Sequence, residues 1–189
     1  MNQEILKLSL IILLFGFMTA GCQKDDIFEL NVGDKNAVIQ KEVNGIEFKF
    51  CLLNEAGEPA TVFNEGENFT FQFSIKNNVS KEIYFDPTLM NTQGFCEVHD
   101  KYSSYGIPYI KPTYINLIMP TAIKKGDAVD ISIKWLPDNN EWTIGPINFT
   151  KGNSVLLKKG KYYTEFTHKF DFDTVKTEKL TFKINFEIE

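Results

Sequence analysis

The sequence predicts an all-β domain, an antiparallel β-sandwich of about 7–9 strands. Three observations lead there: strict apolar/polar alternation in most of the chain, turn residues between the alternating runs, and a supply of large apolar side chains dominated by 17 phenylalanines. Phe48, Phe50 and Leu52 alternate with Glu47 and Lys49. Phe69, Phe71, Phe73 and Ile75 alternate with Thr70, Gln72, Ser74 and Lys76, and Ile83 and Phe85 open a shorter run. Val129, Ile131, Ile133 and Trp135 repeat the pattern against Asp130, Ser132 and Lys134. Phe166, His168, Phe170 and Phe172 share a face of the next strand, and Leu180, Phe182, Ile184, Phe186 and Ile188 close the series. A period of two puts one apolar and one polar face on each strand, and two such sheets bury their apolar faces against each other. Glu55-Ala56-Gly57-Glu58-Pro59, Asn77-Asn78-Val79-Ser80, Lys125-Gly126-Asp127, Pro137-Asp138-Asn139-Asn140 and Lys158-Lys159-Gly160 supply the turns.

The chain begins differently. Leu8 to Phe17 is an apolar run behind Lys7, suited to a signal peptide and too short for a bilayer that needs about 20 apolar residues. Thr19-Ala20-Gly21-Cys22 resembles the lipobox of bacterial lipoproteins, with Thr19 where that pattern usually has leucine. The resemblance implies acylation of the Cys22 thiol and cleavage just before it. Gln23-Lys24-Asp25-Asp26 resembles the acidic export signal of surface lipoproteins of the Bacteroidota, which implies an outer-membrane, cell-surface address. Residues 1–21 are then a lipoprotein signal peptide and residues 22–36 the lipidated cysteine with a polar, flexible tether. The domain occupies residues 37–189. A tether of that length has an end-to-end distance on the order of 20 Å, so the lipid holds the domain near the membrane without a transmembrane helix.

Composition narrows the partners. The formal net charge is −5, and all 20 basic residues are lysine. Without arginine the chain lacks the planar fork that grips phosphate in bidentate fashion, and an acidic balance argues against nucleic acid.

Leu157-Lys158-Lys159-Gly160-Lys161-Tyr162 resembles the L-x-x-G-x-Y tyrosine corner of immunoglobulin-like domains. The resemblance implies an immunoglobulin-like sandwich in which Leu157, Gly160 and Tyr162 are structural and the Tyr162 hydroxyl returns to the backbone of the preceding turn. The chain departs from antibody domains: Thr164 stands where the second cysteine would be, and no tryptophan lies near Ile83 and Phe85, the expected strand C. Cys51 and Cys96 are the remaining thiols, and an oxidising compartment permits a disulfide between them, the alternative being two unpaired, partly buried thiols.

No metal-binding or nucleophile motif occurs, and no cofactor is expected. His99, beside Glu97, Asp100, Ser103 and Ser104, is the one acid–base neighbourhood, yet triad members ordinarily come from separate elements. The chain therefore reads as a non-catalytic protein. Binding has better material. Residues 101–114 hold Tyr102, Tyr105, Tyr109 and Tyr114 in one proline-punctuated connection, and Trp142 adds an aromatic from another loop. Such side chains combine rigid apolar area with a polar tip and suit a glycan or protein ligand. The competing reading has these tyrosines covering an open sheet edge.

Asn68, Asn78 and Asn148 lie in formal N-linked acceptor sequences. Asp173-Thr174-Val175 resembles the O-glycosylation motif of exported Bacteroidota proteins, which implies modification at Thr174. The expected function is a surface-exposed lipoprotein acting as a binding module through aromatic loops. Two alternatives stand beside it. Phe69 to Phe85 resembles a strand-turn-strand of the intracellular proteinase inhibitor family, which implies an inhibitor module, and the domain would also serve as a structural subunit of an envelope assembly.

Overall fold

The structure, a computed structural model, describes residues 26–86, 89, 95–108, 120–136 and 155–189. Within them lie β1 (Asp26–Leu30), β2 (Ile39–Val43), β3 (Ile46–Leu53), β4 (Val62–Phe63), β5 (Thr70–Asn77) and β6 (Ile83–Phe85). They continue with β7 (Glu97–His99), β8 (Ser104–Gly106), β9 (Thr121–Ile123), β10 (Ala128–Lys134), β11 (Gly160–Asp171) and β12 (Lys176–Ile188). The strand count exceeds the expected range because β1, β4, β7, β8 and β9, of two to five residues each, contain too little alternation to register as elements.

The strands form a sandwich. One sheet runs β1-β12-β11-β7-β8 with β4 also paired to β12, the other runs β10-β5-β3-β2, and β6 and β9 make a separate ribbon. The connection order is immunoglobulin-like: β3, β5 and β10 are neighbours in one layer, and β12, β11 and β7 in the other. After β3 the chain turns through residues 54–58, and β4 crosses to pair with β12 in the opposite sheet.

The expected antiparallel sandwich is present, with β1 and β4 added as short strands parallel to β12. Two expectations are corrected. Residues 26–30, expected in the tether, form β1 and pair with Leu180 to Ile184, because Phe28 and Leu30 have an apolar face to bury beside β12. The neighbour of β11 is β7, whereas Ile83 and Phe85 pair with Ile123 and Thr121 in the ribbon.

The core is an interlock of phenylalanines. Phe48, Phe50 and Phe73 come from one sheet and Phe166, Phe170 and Phe182 from the other. Ring centroids lie 4.8 Å apart for Phe48–Phe170, 5.2 Å for Phe50–Phe166 and 5.4 Å for Phe73–Phe182. Burying each ring contributes about 1.5–3 kcal/mol, and well-placed ring pairs add about 0.5–1.5 kcal/mol. Trp135 stacks on Phe69 and satisfies its indole N–H on the Val155 carbonyl at 2.8 Å. The β2–β3 turn is Asn44-Gly45, with φ of 53° and 79°, the left-handed pair that a two-residue hairpin requires. A Cβ on Gly45 would also lie 2.5 Å from Val79 Cγ1, so any other residue would be strained and would have to displace that side chain.

Polar groups inside are few and mostly satisfied. Asn77, fully buried at the end of β5, donates to the carbonyls of Lys81 and Ile123 and accepts from the Val79 N–H. Thr164 on β11 is also fully buried, yet its hydroxyl has no partner. An orphaned hydroxyl costs desolvation energy, whereas a lost latch strands several groups at once. Thr164→Val is therefore expected to raise stability by about 1 kcal/mol and Asn77→Ala to lower it by about 2–3 kcal/mol. Urea unfolding midpoints check both, and a destabilised Thr164→Val protein contradicts the assignment.

Candidate functional site

The chemistry-bearing residues gather around the β7–β8 connection at one end of the sandwich. Asp100 organises it. Its Oδ1 accepts from the Tyr102 and Ser103 N–H groups at 2.7 Å each, and its own N–H donates to the Ser103 carbonyl at 3.0 Å. Aspartate favours this tight turn because its carboxylate satisfies two backbone donors that would otherwise point into the loop. Oδ2 accepts from the Tyr105 hydroxyl at 2.9 Å. The backbone bond from Tyr102, helped by the Tyr105 and Ser103 bonds, holds the Asp100 carboxyl below its usual range, and the same carboxylate raises the Tyr105 phenol.

Tyr105 is thereby a strut. Its ring meets Tyr162 edge-on at 5.3 Å, and Tyr162 in turn stacks on Phe186. The Tyr162 hydroxyl donates to the Lys158 carbonyl at 2.8 Å, the return to the preceding turn that the L-x-x-G-x-Y pattern implies. Leu157 is buried, and a Cβ on Gly160 would lie 3.4 Å from the Tyr162 ring. Tyr102 differs from Tyr105: it is 80% exposed at the tip of the turn, with the Lys101 ammonium 4.4 Å from its ring centroid. Tyr109, Tyr114, Trp142 and Cys22 lie outside the described residues, as does Asn148.

The outer face of the six-stranded sheet brings a second set of residues together. The Ser104 hydroxyl donates to Glu97 Oε1, and Glu97 Oε2 lies 3.7 Å from His99 Nε2. The His99 ring stacks on Tyr163 at 5.1 Å, the Lys183 ammonium sits 5.2 Å from the Tyr163 centroid, and Lys183 pairs with Glu29 at 3.0 Å. Glu29 is held below the usual carboxylate range first by the Asn185 amide and then by Lys183. The carboxylate stands between serine and histidine. A nucleophilic relay needs imidazole in that middle place, receiving the hydroxyl proton. Here the serine proton is already committed to Glu97, and the neighbourhood that the sequence places around His99 is a hydrogen-bonded surface row. Sequence reasoning missed Tyr163 and Lys183 in this row. The signal was the doublet Tyr162-Tyr163, which on a strand must send one ring inward and one outward.

Among the described residues, no group of three or more His, Cys, Asp or Glu side chains is placed to hold a metal ion, and no helix is long and apolar enough to cross a membrane. A groove of about 370 Å³ runs between β1 and β2, lined by Phe28, Leu30 and Ile39 with Lys35 and Gln40. Comparison with known protein families, curated proteins and solved structures finds no match to this chain.

Of the two readings left open for Cys51 and Cys96, the structure shows the unpaired one: both thiols are buried and free. Cys96 belongs to the core cluster between the sheets, whereas Cys51 points from β3 to the face opposite Phe48 and Phe50, so the two side chains have no common direction in which to bond. Burial pushes the Cys51 thiol up to about 11 and raises Cys96 as well. Neither thiol is expected to react with a thiol reagent in the folded protein, and both are expected to react on unfolding. A chain that stays unreactive after denaturation without reductant carries the disulfide instead.

The other candidate glycosylation positions divide. Asn68 is engaged with the Leu136 backbone in both directions, at 3.0 and 2.9 Å, and Asn78 donates to Glu42. Thr174 is exposed at the tip of the β11–β12 hairpin. His168 lies half-buried against Phe170, ring centroids 4.7 Å apart. Burial holds its imidazole below the ordinary 6.5, with Asp86 partly opposing. The unfolded chain takes up a proton that the folded chain resists. This stabilising difference is complete above about pH 6.5 and declines as pH falls through the interval below it. Urea midpoints at about pH 7.5 and about pH 5 should differ less in His168→Asn than in the parent.

Proposed function

We propose that the chain is a lipoprotein held at the outer-membrane surface through Cys22, and that its sandwich is a non-catalytic module binding a glycan or protein ligand. The observation that supports it is the presentation of Tyr102. The residue is 80% exposed, while the backbone beneath it is pinned by Oδ1 of Asp100, whose Oδ2 is in turn held by the hydroxyl of the Tyr105 strut. An exposed aromatic on a rigid turn loses little conformational freedom on binding, which is the condition for an interface anchor. Tyr105 is removed from the ligand-facing set, because its hydroxyl and ring are both spent on the fold.

The test uses the full-length protein on glycan and protein arrays. Tyr102→Ala is expected to weaken binding at least about tenfold with an unchanged melting temperature, whereas Tyr105→Ala lowers the melting temperature. Undiminished binding by Tyr102→Ala, or no ligand for the parent on either array, removes the reading.

A further inference from the structure

The placement of β1 sets which end of the domain meets the membrane. Asp26 is four residues beyond Cys22, and four extended residues span at most about 14 Å. β1 runs parallel to β12, with Asp26 opposite Leu180, so the chain enters the sandwich at the end where β12 starts. Three further turns share that end. The Asn44 amide donates to the Lys176 carbonyl at 2.8 Å, the Asn78 N–H to the Gly45 carbonyl at 2.9 Å and the Gly126 N–H to the Asn77 carbonyl at 2.7 Å. The connections at residues 44–45, 78–82, 124–127 and 172–175 thus form one surface beside Asp26. Its lysines, Lys81, Lys124, Lys125 and Lys176, are balanced by acids such as Asp127, Asp171 and Asp173, so no excess charge drives it from a headgroup layer.

The opposite end carries the Asp100–Ser103 turn, since His99 pairs with Tyr163 near the start of β11. Asp26 lies level with Leu180, whereas His99 lies level with Tyr163 and so with Asn185, five β12 residues or about 17 Å further on, and the turn extends beyond that level. A link of at most about 14 Å that leaves Asp26 in the opposite direction falls short of it.

We propose that the surface formed by these four turns is the membrane-contacting face of the domain, seated on the lipid headgroups, and that the Tyr102 turn points away from the bilayer. This rests on lipidation at Cys22. It fixes the ligand end as the one exposed to the medium and places Thr174 close to the membrane.

The experiment places a fluorophore at Thr174→Cys or at Ser103→Cys in the full-length lipidated protein, reconstituted into phosphatidylcholine vesicles containing a headgroup-nitroxide lipid. Both positions are exposed, and the burial of Cys51 and Cys96 keeps labelling confined to the added thiol. The label at position 174 should be quenched several-fold more than the label at position 103. Equal or reversed quenching in protein that floats with the vesicles overturns the orientation alone. Protein that fails to float with them removes the anchor and both readings together.

Discussion

The structure depends on the fit between two phenylalanine faces. Phe48, Phe50 and Phe73 on one sheet meet Phe166, Phe170 and Phe182 on the other at ring separations that permit edge and tilted contacts. Within the sheets Phe166 pairs directly with Phe182 and Phe50 with Phe73, so a one-residue slip in either strand pairing would turn the slipped strand's aromatic set to solvent. The pairing of β11 with β12 therefore sets more than their own ladder. It fixes the inner face, and through it the position of Tyr162 and everything that rests on that ring. Even the irregularity near Phe170 serves this end: the register shifts between Lys169 and Asp171, the Phe170 N–H is taken by the Thr177 hydroxyl, and Phe170 and Phe172 both remain buried.

Where the apolar core runs out, side chains with both donor and acceptor capacity take over. Asn77 closes one end of the sandwich by joining β5, the following turn and β9. Tyr162 closes the other by tying β11 to the Lys158 turn, and Tyr105 extends that tie to Asp100. The candidate site is the outward end of this second chain of contacts. Tyr102 is held still by residues that reach the core in two steps, which is why its neighbours in sequence have structural duties while it does not.

The long strands were legible because each buries one face: β3, β5, β10 and β12 all show their period in the residues alone. β1 was not, since its five residues have no pattern of their own and take their structure from β12, far along the chain. β7 is three residues long and was outweighed by Ile83 and Phe85, whose stronger alternation made a better strand but the wrong neighbour for β11. At the site, the sequence marked the tyrosine-rich connection and the tyrosine corner. It did not separate Tyr102 from Tyr105, because the difference between a free phenol and a strut lies in one bond to Asp100. Burial of Cys51 was likewise hidden, since alternation alone sends it to the outer face of its sheet.

The β1–β12 pairing joins the first described residues to the C-terminal strand. Asp26 pairs with Leu180 and Leu30 with Ile184. The six-stranded sheet cannot close while the C-terminal strand is still being delivered, so the native topology demands contacts of the greatest sequence separation the chain offers. A chain with this design stays open until its C-terminal strand has been made, and the sheet locks at the moment β1 meets β12.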